Sequence, residues 1–147
     1  MHHKILILLF SGLLFVSCTD TNEPLTFSSE STTEAALPTC ENADCPKVTV
    51  NYELAEGTDE TSEVINELLN EKLIASLQLG DDEITAKTLP EAMAYFVDRY
   101  RSDKEKFPEA TWEYEAKVDL SKLFQSEELV SFELQAYQFA GGAHGYQ

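Results

Sequence analysis

Hydrophobic and polar positions alternate along three stretches of this chain and recur at helical spacing along two others. Val48, Val50, Tyr52 and Leu54 alternate with Thr49, Asn51 and Glu53, the period of a half-buried strand, and Glu56-Gly57 ends the run. Ile65, Leu68, Leu69, Leu73 and Leu77 then share one face of a helix over 60–79. Thr58, Asp59 or Thr61 can cap its start, Glu60 and Glu63 suit its first turn, and Gly80 follows its end. A second helix opens at Thr88-Leu89-Pro90-Glu91, which places a capping threonine, a proline in the first turn and a glutamate three residues on. Met93, Phe96, Val97 and Tyr100 form its apolar stripe, and Phe107-Pro108 stops it. Trp112, Tyr114, Ala116, Val118 and Leu120 alternate with Glu113, Glu115, Lys117 and Asp119 in a further strand. A polar connection over 121–128, with the apolar pair Leu123-Phe124, leads to the last strand. There Val130, Phe132 and Leu134 occupy one phase but Tyr137 and Phe139 the other. The phase change predicts a bulge or strong twist near Gln135-Ala136, or cover on both faces.

The order β-α-α-β-β predicts an α+β domain: an about three-stranded, mainly antiparallel sheet with two amphipathic helices packed on one face, over residues 45–147. A domain of about 100 residues can hold one modest core. No internal repeat is evident.

The segment before it divides in two. Met1-His2-His3-Lys4 is a short basic start, and Ile5 to Val16 is an almost unbroken apolar run, the length of a signal-peptide core. A membrane span takes about 20 apolar residues, more than this run supplies. It closes on Leu14-Phe15-Val16-Ser17-Cys18, which resembles the lipobox of bacterial lipoproteins. That resemblance makes residues 1–17 a lipoprotein signal peptide and Cys18 the lipid-modified first residue of the mature chain. The implied location is the cell envelope, anchored to the inner or outer membrane and facing the periplasm or cell surface. Residues 18–44, rich in Ser, Thr, Glu, Asn and Pro, bury too little apolar surface to offset their ordering entropy and read as a disordered tether. Cys40 and Cys45, in CENADC, form a close pair that outside the cytoplasm reads as a disulfide clip at the entrance to the folded domain. A metal site would want more ligands than this pair offers.

Charge narrows the partners. The chain carries a formal charge of −17. Without residues 1–17 it keeps nine Lys and Arg against 27 Asp and Glu, for a formal charge of −18. Such a surface repels nucleic acid and anionic headgroups and suits a cationic partner, or simply keeps the domain soluble. Positive charge gathers in one place, at Arg99, Arg101, Lys104 and Lys106 near the end of the second helix. There it complements the helix dipole or grips an anion.

Catalytic chemistry finds few parts. His144 is the only histidine after the signal peptide, and with Cys40 and Cys45 oxidised it has no identifiable nucleophile beside it. No acid/base pair stands out among the carboxylates, and HExxH, P-loop and GxGxxG motifs are absent from the sequence. No catalytic residue, cofactor or metal is expected. The glycine-rich ending Gly141-Gly142-Ala143-His144-Gly145 has two readings. Either the glycines permit positive φ and the imidazole caps a sharp turn, or amides and imidazole form a small recognition surface. Trp112, Tyr114 and Tyr137 are likewise core residues or aromatic contacts for a sugar.

Three features together carry a family resemblance. They are Val64-Ile65-Asn66 on the first helix, Trp112-Glu113-Tyr114, and the run Tyr137-Gln138-Phe139-Ala140 into the glycine-rich ending. From Pro46 to Gly145 the chain resembles the domain of unknown function numbered 4163. That domain precedes the catalytic part of a peptidoglycan deacetylase and occurs in the extracellular part of a lysozyme-sensing anti-sigma factor. In the family the motif usually leads into a domain numbered 3298, whereas this sequence ends two residues after Gly145, so the expectation is either a C-terminally truncated fragment or a chain that lacks the partner domain. The resemblance implies a lipid-anchored envelope module, without catalytic activity of its own, that binds peptidoglycan or a protein such as lysozyme. The alternative is an accessory domain of a peptidoglycan-modifying enzyme, of the polysaccharide deacetylase type, whose catalytic part lies elsewhere.

Overall fold

The computed structural model describes residues 24–41, 43–80 and 84–142. Four strands form one sheet: β1 (Phe27–Thr33), β2 (Lys47–Ala55), β3 (Glu115–Gln125) and β4 (Val130–Phe139), in that spatial order. Helices α1 (Glu60–Ala75) and α2 (Leu89–Lys106) lie between β2 and β3 in the chain, and short 3-10 turns at Glu34–Ala36 and Pro38–Cys40 follow β1. The fold is therefore α+β with two helices, as the periodicity predicts, but the sheet corrects the expectation in three ways.

It has four strands, in the order β-β-α-α-β-β. The added strand, β1, comes from the stretch expected as tether. Its sequence, FSSESTT, hides it, because an edge strand needs little apolar surface and Ser and Thr can sit in a pleat without being buried. Next, the sheet is mixed. β1 pairs antiparallel with β2 and β3 with β4, but β2 and β3 run parallel, Val48 beside Ala116 and Val50 beside Val118. Two helices intervene, and that crossover returns the chain to the end from which β2 started. Finally, β3 runs on through Leu123 and Phe124, and its register with β4 shifts between Lys122 and Phe124, not at Gln135-Ala136. Across Val118–Ala136 and Asp119–Gln135 the ladder is regular. Tyr137 and Phe139 are half-buried on one face, Ala136 and Gln138 on the other, so partial cover of both faces accounts for the phase change.

Alternation places Val48, Val50, Ala116, Val118 and Leu120 on the helix side of the sheet. There they pack with Leu69, Leu73, Leu77, Met93, Phe96, Val97 and Tyr100 in a single core. Asp59 caps α1, its Oδ1 accepting the Thr61 and Ser62 amides at 3.0 and 3.1 Å. Thr88 and Glu91 close the expected capping box on α2. Leu37, just after β1, is also buried in the core.

Candidate functional site

The face of the sheet opposite the helices carries a hydrogen-bonded polar row. By register, Ser31 of β1, Asn51 of β2, Asp119 of β3 and Gln135 of β4 stand in one row across all four strands. Period-2 alternation puts each of them out of phase with the core, hence on this open face. The row is hydrogen-bonded. Ser31 Oγ donates to Asn51 Oδ1 at 2.8 Å, and Asn51 Nδ2 donates to Asp119 Oδ1 at 2.7 Å. Lys117 Nζ lies 3.1 Å from Asp119 Oδ2. Donation from Asn51, together with Lys117, holds the Asp119 carboxyl below its ordinary range despite partial burial. In the next row Lys117 stands opposite Tyr137, and one pair further Glu115 stands opposite Phe139. Polar side chains thus alternate with aromatic ones along this face.

The site residues anticipated from sequence do not gather there. Tyr114 lies in the core, where its hydroxyl donates to Asp103 Oδ2 at 2.7 Å and its ring packs edge-on against Phe96. Burial, with the Asp103 carboxylate next, pushes its phenol up to about 12. Trp112 is partly buried against the core and close to Phe107, with ring centroids 6.1 Å apart. Its indole also lies under the glycine turn. Gly141 and Gly142 both have positive φ, +81° and +96°, a backbone that favours glycine. A Cβ on Gly141 would come within 3.0 Å of the Trp112 indole, whereas one on Gly142 would meet nothing. Tyr137 is the one anticipated aromatic on the open face. Cys18, Ala143, His144 and Gly145 lie outside the described residues.

The basic end of α2 serves the chain itself. Arg101 Nη2 donates to the Thr39 carbonyl at 2.6 Å and lies 3.2 Å from Cys45 Sγ. Tyr100 donates to Asp44 at 3.0 Å, so α2 holds the disulfide loop from two points. Cys40 and Cys45 are bonded, with Cα atoms 5.7 Å apart. Arg99 and Lys106 both reach Asp103, and Lys104 lies over the Tyr100 ring. Among the described residues no three His, Cys, Asp or Glu side chains converge as metal ligands would. No helix among them is long and apolar enough to cross a membrane.

Asn51 and Asp119 were legible as the solvent phase of two strands, but nothing in the spacing paired them. The parallel register that brings them together follows from the crossover, and Ser31 belongs to a strand that composition conceals.

Comparison with known proteins agrees with the fold. A family model described as Deacetylase PdaC matches residues 39–147. The crystal structure of a DUF3298 family member from Bacteroides fragilis superposes with a TM-score of 0.52 at 22% identity, over 82% of this chain and 52% of that one. This chain therefore spans about half the length of that structure, and the likeness concerns the fold alone. No curated protein matches the chain.

Proposed function

The chain belongs to the Deacetylase PdaC family, and from that premise we propose that it is a non-catalytic module of the bacterial cell envelope that binds a cell-wall component or a basic protein such as lysozyme. The observation that carries the reading is the hydrogen-bonded row Ser31–Asn51–Asp119 across the open face of a strongly acidic domain. Such a face offers ordered donors and acceptors, and the acidity favours fast, salt-sensitive association with cationic partners. The disulfide suits an oxidising compartment outside the cytoplasm. The apolar run before Cys18 supports a lipid anchor on that residue, and two or more acyl chains make such an anchor stable.

A second reading is favoured by the family's own name: an accessory domain of a peptidoglycan-modifying enzyme whose catalytic part lies outside this chain. A polysaccharide deacetylase domain encoded in the same reading frame would decide for it.

Cys18→Ala tests the anchor, since it should release the protein from the membrane fraction; retention there refutes lipidation. The released chain is then mixed with purified sacculi and, separately, titrated with lysozyme at low and moderate salt. Saturable binding to one of them, weakened by salt for lysozyme, is expected. Binding to neither ends the binding proposal.

A further inference from the structure

Asp119 stands in the middle of the open face, in the row shared by all four strands. Asn51 donates to its carboxylate, and Asn51 is itself fixed from the other side by Ser31. The acceptor is thus ordered before any ligand arrives, and binding there loses little side-chain entropy. Its cationic partner among the described residues, Lys117, is more than half exposed, and Asp119 is 40% exposed in that pair. Exposed ion pairs of this kind hold weakly, so an incoming ammonium can take the place of Lys117. Tyr137 stands opposite Lys117 on the same face, beside the position such a ligand would occupy. Aromatic side chains in such places suit the apolar face of a sugar ring.

We infer that this face binds a glycan bearing free amino groups, an N-deacetylated amino-sugar chain, with Asp119 accepting the sugar ammonium and the Asn51 and Gln135 amides bonding its hydroxyls. The inference rests on the wall-binding reading and names the sugar chemistry it selects. Charge decides the class. A chain at −17 repels anionic polymers, gains nothing electrostatic from a neutral acetylated sugar, and attracts a protonated amine.

The test titrates the Cys18→Ala chain with a glucosamine tetramer and an N-acetylglucosamine tetramer at low salt, following the Asn51 side-chain amide signals by NMR. The free-amine tetramer should bind about tenfold tighter, the gain of one charge-assisted hydrogen bond. It should also shift the Asn51 signals. Asp119→Asn should abolish that preference, while Glu105→Gln, an equal charge change on α2, should leave it unaltered. Lys117→Met removes the competing ammonium and should tighten binding, a gain that misfolding cannot produce. Equal affinity for the two tetramers, or equal losses in the Asp119 and Glu105 variants, overturns the inference. So does binding to neither tetramer. In each case sacculus binding, measured separately, still judges the broader reading.

Discussion

The side-chain amide of Asn66 holds both backbone polar groups of Ala55: its Oδ1 accepts the Ala55 amide at 2.8 Å and its Nδ2 donates to the Ala55 carbonyl at 2.9 Å. Asn66 thereby acts as an extra strand partner, tying α1 to the end of β2. Ala55 is buried, so neither group can turn to water instead. Asn66→Ala should therefore destabilise the domain by about 2–6 kcal/mol, since each of the two orphaned buried groups costs about 1–3 kcal/mol. Asn66→Asp keeps the acceptor but sets a carboxylate against the Ala55 carbonyl, and should be no better. Urea unfolding measures both. A loss below about 0.5 kcal/mol for Asn66→Ala, the range of an ordinary surface change, would mean that the clamp contributes nothing.

Gly141 and Gly142 separate two costs that usually arrive together. Gly141→Ala meets both the positive φ and the Trp112 indole, whereas Gly142→Ala meets the backbone term alone. A left-handed backbone costs a non-glycine residue about 1–2 kcal/mol. Both variants should lose roughly that much, with an additional loss at position 141. Trp112 is the only tryptophan, so its fluorescence reports the displacement directly. An emission shift in Gly141→Ala but not Gly142→Ala is expected, and equal spectra would disprove the contact.

Local signals made the helices readable. The Thr88 capping box, the apolar stripe of α2 and the alternation from Tyr114 to Leu120 all lie within short windows, and local hydrogen bonding enforces them. What stayed hidden was non-local. β1 carries one apolar residue, Phe27, and gains its order by pairing with β2 and by the burial of Leu37 after it. The parallel register of β2 with β3 is set by the crossover through two helices, which no window of sequence contains. The open-face row depends on both, so its members could be sorted to a face but not to one another. Tyr114 was readable as core or as a sugar contact, and its burial agrees with the core alternative, which the strict alternation into Leu120 favours.

The boundary of the domain follows from β1. A chain beginning at residue 45, where the alternating pattern first becomes visible, lacks β1, Leu37 and the disulfide. Losing a buried leucine alone costs about 2–5 kcal/mol, against a total stability of about 5–15 kcal/mol for a typical domain. Residues 45–147 should be unfolded or should associate through the bared edge of β2, whereas residues 24–147 should give a cooperative monomer. Circular dichroism melts and size-exclusion chromatography compare them. Equal melting temperatures would remove β1 from the domain.

The Tyr114–Asp103 hydrogen bond should be visible at both ends of the pH scale. Burial, then the bond to and charge of Asp103, push the Tyr114 phenol up to about 12. A phenol with its folded pKa above the unfolded value of about 10 contributes stability that is complete below pH 10 and is lost as pH rises towards 12, on the order of 3 kcal/mol. Asp103 works in the opposite sense. Burial pushes its carboxyl up, but donation from Tyr114 and Arg99 outweighs that and holds it below the ordinary range. Its contribution is present above the unfolded carboxylate pKa and is lost as pH falls through the folded one. Tyr114→Phe deletes the phenol and the donor together. Beyond a fixed offset in stability, it should flatten the alkaline fall between pH 10 and 12 and make the acid limb shallower, because Asp103 returns towards its ordinary value. Tyr52 and Tyr100, also pushed up by burial, keep a residual alkaline slope in the variant. Urea midpoints measured from pH 2 to 12 on parent and variant would show the two limbs change together, and parallel curves across the whole range would rule the coupling out.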